Sequence, residues 1–161
     1  MAHVPSVVVL IGSVALFMFY LQQTCERILR REFEREFFHP VVNANRLEFP
    51  FIQKALEEFD VPVDYRRFRM QLYCDFLALT FLLKNARNER GRLSNAERLL
   101  WIYFLAVFLL LIIAHTLRFN ERAVILKLTA ILKYFANVVG ERLDRIRFGG
   151  DMTGSDYLMR L

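Results

Sequence analysis

The sequence is poor in everything a reaction centre is usually built from. It holds no catalytic motif, no phosphate-binding loop and no metal-ligand spacing, so no enzymatic activity is expected of it. Cysteine occurs twice, and Cys25 and Cys74 stand 49 residues apart. That spacing excludes a paired metal or redox motif and predicts free thiols in a reducing compartment. Six Gly and four Pro are few for a chain of 161 residues, and the apolar segments favour helix formers over alternating β-branched residues. The class is therefore all-α. Lysine is scarce as well, 4 residues against 18 Arg. Arg keeps its charge at low dielectric and is weakly hydrated, which suits lipid headgroups and buried ion pairs.

Charge itself is missing from two long stretches. Leu99 to Leu117 is a run of nineteen residues without a formal charge, closed by Arg98 and Arg118. At about 1.5 Å per residue a helix of that length covers roughly 28 Å, close to the ~30 Å hydrocarbon core of a bilayer. Val4 to Cys25 is a second uncharged segment. No Lys or Arg precedes it and no small-residue cleavage site follows, so it reads as an uncleaved transmembrane helix rather than a signal peptide. Ser94 and Glu97, three apart and just before the long run, have the spacing of a capping box and mark where its helix starts.

The expected protein is thus an all-α integral membrane protein. Two helices cross, over 1–25 and 98–118, and amphipathic helices lie at the interface. Residues 26–97 form a charged helical segment with 14 basic and 12 acidic residues over 22–98. Within it, Glu26 to Phe37 should extend the first span into water until His39-Pro40 stops it. Pro50 to Phe59 should make a short amphipathic helix. Asp64 to Leu83 should pack on the membrane face or on another protein without crossing, with Arg67, Gln71 and Asp75 in a polar seam. Basic residues cluster after the first span and before the second, which orients 26–98 towards the cytoplasm, matrix or stroma and the N-terminus outside. A bacterial or organellar inner membrane fits that reading.

Residues 119–147 divide into two faces at helical spacing. Val124, Leu128, Ile131, Leu132, Phe135, Val139, Leu143 and Ile146 share one, and Lys127, Lys133, Asn137, Glu141, Asp144 and Arg145 the other. That pattern predicts an interfacial or partner-docked helix, with a third span over 123–139 as the alternative. A central Lys would cost a span about 2–3 kcal/mol. Residues 148–161, with three Gly, should form a flexible tail.

Candidate contact residues for lipid or a partner are Arg27, Arg30, Arg31, Asp75, Leu128, Leu132, Phe135 and Val139. An acid such as Asp75 inside an apolar stretch is a site candidate by default. No cofactor is predicted outright. His115, near the end of the second run, could ligate haem or chlorophyll through a neutral ring nitrogen. The basic clusters alternate with acids and sit beside spans, which points to anionic lipid rather than nucleic acid. The functional expectation is a non-catalytic accessory, assembly or structural subunit of an energy-transducing or transport complex, partnered by other membrane subunits. The alternatives are a small haem- or chlorophyll-binding carrier using His115, and a self-assembling membrane-shaping or signalling protein.

Overall fold

The computed structural model describes residues 3–30, 33, 36–58, 64–85, 94–118 and 120–158, with side chains described between 6 and 146. Those residues form six helices and no strand: α1 (His3–Leu29), α2 (Phe38–Asn45), α3 (Phe49–Glu58), α4 (Tyr65–Asn85), α5 (Asn95–Leu117) and α6 (Glu121–Leu158). Three of them, α1, α5 and α6, are long and apolar enough to cross a membrane.

The element boundaries follow local chemistry. Asp64 accepts from the Arg67 backbone N–H at 3.3 Å and so starts α4. Ser94 and Glu97 form the capping box of α5, the Ser94 N–H donating to Glu97 Oε2 at 3.0 Å. Arg118, left-handed at φ 52°, ends α5 with its N–H on the carbonyls of the last turn. The charged extension of the first span is shorter than expected, since α1 stops at Leu29. Pro40 does not end that helix. It lies in the first turn of α2, where a missing N–H costs nothing.

Helix α6 is the axis of the bundle, and α2, α3, α4 and α5 all pack on it. Leu128, Leu132, Ile125, Ile131, Ala136 and Val139 are fully enclosed. Gly140 lets the chain cross α6: a Cβ there would stand 2.5 Å from the Phe37 carbonyl oxygen. The backbone of α6 stays helical as far as Leu158, through the glycines from which a flexible tail was expected.

Helix α4 runs antiparallel to α5. Tyr65 stacks on His115 at 3.6 Å, Tyr73 meets Phe108 at 5.7 Å and Phe76 stacks on Phe104 at 3.9 Å. Helix α5 likewise opposes α6, with Glu97 paired to Arg142 at one end and His115 to Glu121 at the other.

Candidate functional site

Two surfaces stand out because their apolar character is not used up inside the chain. The first is the N-terminal half of α1. Its register against α6 is set by Glu26 beside Lys127, Leu29 around one cavity with Ala130, and Phe33 edge-on to Tyr134. The two segments therefore advance together, and residues before about Gln22 lie past the first turn of α6. Every side chain from Ser6 to Tyr20 is exposed, and burial begins at Leu21 and Cys25. An apolar rod of about 22 Å projects from the bundle. Arg118 and Arg122 lie at the end of the bundle from which it leaves, with Phe19 and Tyr20 on the rod at that level.

The second surface is the outer face of α4 and α5. Tyr73, Leu77 and Phe81 recur every fourth residue along α4, and Trp101, Leu105 and Leu109 along α5, all exposed. Rings join the two rows: Phe76 lies 6.3 Å from Trp101, and Arg69 sits 5.9 Å over Phe108. Among the described residues, the exposed charges at the two ends of this flank are Asp64, Arg66, Arg67 and Arg69 on one side and Lys84 and Arg98 on the other. Exposed apolar faces of that kind are where proteins meet partners or lipid.

Leu128, Leu132, Phe135 and Val139, expected to cover a partner, are buried under the chain's own helices, so that contact is a correction. The physical reason is that the polar side of α6 is partly covered by the chain's own segments. Asn137 Oδ1 accepts the Phe37 N–H at 2.9 Å, Lys133 pairs with Glu36 at 3.2 Å and Lys127 with Glu26 at 3.7 Å. Polar residues tied by neighbouring segments make α6 a core helix rather than a one-sided one.

Asp75 is buried at 6% exposure, and its place is structural. Its Oδ2 accepts the backbone N–H groups of Glu48 at 2.9 Å and Phe49 at 2.7 Å, closing the first turn of α3 from a different helix. Burial pushes its carboxyl up to about 6, against the two N–H donors, which favour the ionised form. Gln71 donates to Glu48 beside it, while Arg67 points away, so the expected seam is divided.

His115 stacks on Tyr65, and its Nδ1 lies 3.1 Å from Glu121 Oε1, which leaves Nε2 as the second ring nitrogen. Among the described residues, no group of three or more His, Cys, Asp or Glu could hold a metal ion. Arg27 and Arg30 are exposed just after the buried turn of α1, and Arg31 lies outside the described residues. The flank residues of α4 were not singled out from sequence, although their four-residue spacing was readable there.

The described chain is an all-helical protein with three helices of membrane-crossing length and apolarity. Comparisons with family models, curated proteins and solved structures found no match.

Proposed function

We propose that the chain is a membrane-anchored helical scaffold, an accessory subunit that crosses the bilayer once through α1 and presents its bundle on the inner face. The observation that carries this reading is the end-to-end stacking of its apolar segments. Residues 6–20 of α1 are exposed and lie beyond the first turn of α6, so the apolar lengths together reach roughly 50 Å along one axis. A hydrocarbon core of ~30 Å holds one of the two, not both.

Burial favours α1. In the most apolar window of each helix, 6% of α1 is buried, 33% of α5 and 67% of α6. The apolar residues of α6 are used by the core, and α2 and α3 cover its far side with an outer face of Asn43, Asn45, Lys54, Glu57 and Glu58. Lipid at that depth would meet those charges and the non-helical backbone between α2 and α3, neither of which the hydrocarbon core accepts. The rod of α1 is uncharged and exposed on every side from Ser6 to Tyr20, whereas the uncharged run of α5 is packed on one side against α4 and α6. Arg27 and Arg30 follow it, and Arg118 and Arg122 stand at its base at headgroup level, which favours an anionic inner leaflet and an N-terminus outside.

Carbonate extraction of membranes tests the single crossing. Arg at Val14 should release the chain, because a charge at mid-bilayer costs about 2.5–3.5 kcal/mol on insertion scales. Arg at Leu109, on the flank of the bundle, should leave it membrane-bound. Release by Leu109→Arg, or retention of Val14→Arg, would overturn the reading. Cys74, exposed on α4, reports the side: an impermeant thiol reagent should reach it only after the membrane is opened.

A further inference from the structure

We infer that the α4–α5 flank docks a helix of another protein, apolar along its length and acidic at both ends. This rests on the single-crossing reading. With α1 along the membrane normal, the flank stands alongside that axis and outside the hydrocarbon, so lipid does not cover it. Its residues nevertheless form a continuous apolar strip, from Tyr73 through Leu77 to Phe81 beside Trp101, Leu105 and Leu109. Water is a poor neighbour for such a strip.

Charge selects the occupant. Among the described residues, the exposed charged groups that close the strip are Asp64, Arg66, Arg67 and Arg69 at one end and Lys84 and Arg98 at the other, so each end carries net positive charge. Asp64 accepts the Arg67 backbone N–H through Oδ1 and offsets one of the three Arg charges. A second copy of this chain is excluded by the same distribution. If two flanks meet head to head, the Arg clusters face each other; if they meet head to tail, Arg66 to Arg69 face Lys84 and Arg98. Both orientations set like charges together, which costs binding. A helix with Glu or Asp at each terminus places opposite charges at both ends and apolar side chains over the strip. Arg69, held over Tyr65 at 6.0 Å and Phe108 at 5.9 Å, is already placed at the rim to receive a carboxylate.

Trp101 is the chain's single tryptophan and lies in the strip, so it reads the interface directly. The probe is a synthetic leucine–alanine helix with two Glu at each end and a dabcyl quencher, titrated onto the full chain in phosphatidylcholine nanodiscs. A twin peptide with Lys in place of Glu is the control. The Glu-ended peptide should quench Trp101 at concentrations at least about tenfold below its twin, and Leu77→Arg should raise its midpoint by at least about tenfold. Equal quenching by the two peptides, or none by the Glu-ended one, overturns the inference. So does quenching of Trp101 by brominated lipid, which would put the flank in the bilayer, or a mass of two chains per nanodisc with the flank protected. The anchor is read separately with Phe17→Trp in a Trp101→Phe background. Brominated lipid should quench that residue, and if it does not, the single-crossing reading fails whatever the peptides do.

Discussion

Helices α1 and α6 each hold a window apolar enough to cross a bilayer, and they differ in what surrounds it. In α6, apolar residues occur on nearly every side because five helices share it, and its Lys and Asn side chains are met by residues of the chain between α1 and α2. In the first half of α1 every described side chain is exposed. On the proposed single crossing, hydrophobicity has two sources in one small protein: a core that must be filled, and a solvent other than water. A hydropathy profile adds them together, and only the packing separates them.

The contrast breaks most visibly at Leu132 and Val14. Leu132→Asp places a carboxylate in a fully enclosed position of α6, and should destabilise the bundle by about 5 kcal/mol or more, enough to unfold it. Val14→Asp should leave the unfolding transition of the detergent-solubilised bundle unchanged, because that side chain is exposed and no part of the core. Denaturant unfolding followed by tyrosine and tryptophan signals compares them. Similar losses for both variants would mean that α1 is folded into the bundle over its whole length.

A medium effect is expected at Asp75. Its folded carboxyl is raised to about 6 from the ordinary 3.8, so the folded state holds the proton more tightly than the unfolded one. The sign is that this contribution is complete below about pH 4 and is lost as pH rises through 6. Asp75→Asn keeps an acceptor oxygen for the N–H groups of Glu48 and Phe49 without the charge. Above pH 6 it should be the more stable protein by about 2–3 kcal/mol, with the gap closing between pH 6 and pH 4. Unfolding midpoints measured from pH 4 to pH 8 check this, and a gap independent of pH would remove the carboxyl as its origin.

The smallest effect sharpens the comparison from the polar side. Lys133 pairs with Glu36 at 3.2 Å with both side chains partly in solvent, so Lys133→Gln should cost less than about 1 kcal/mol. Were α6 in lipid, the same change would improve insertion. Stability and membrane yield of Lys133→Gln, measured together, distinguish the two environments.

Much of this arrangement could be read from the residues. The helical class, the two uncharged segments, the capping box of Ser94 and Glu97 and the short helix after Pro50 all rest on local chemistry, which a sequence carries explicitly. Helix α6 was read as one-sided because Lys127, Lys133 and Asn137 fall together at 100° per residue. Their partners, Glu26, Glu36 and the Phe37 N–H, are about a hundred residues away, and no periodicity announces them. Asp75 was noticed as an acid in an apolar stretch, but its work as a cap for a different helix depends on how α3 and α4 meet. The candidate contact surface moved for the same reason. Once Leu128, Leu132, Phe135 and Val139 were enclosed, the strip on α4 and α5 was what remained outside.

The crossing at Gly140 also constrains how this protein can change its length. Glu26, Leu29, Phe33 and Phe37 meet α6 at Lys127, Ala130, Tyr134 and Asn137 in turn, and the series ends where Phe37 rests against Gly140, a position that has no side chain. Deleting one residue of α6 within that interval would turn everything beyond it by about 100° and slide it about 1.5 Å. Asn137 would then miss the Phe37 N–H, and a side chain would face the carbonyl in place of Gly140. Insertions and deletions are therefore expected only outside this interval, or in matched pairs within it. In related chains, the separation between the segment after α1 and the glycine of α6 should vary through the intervening helices and loops, while the count along each of the two paired stretches stays fixed.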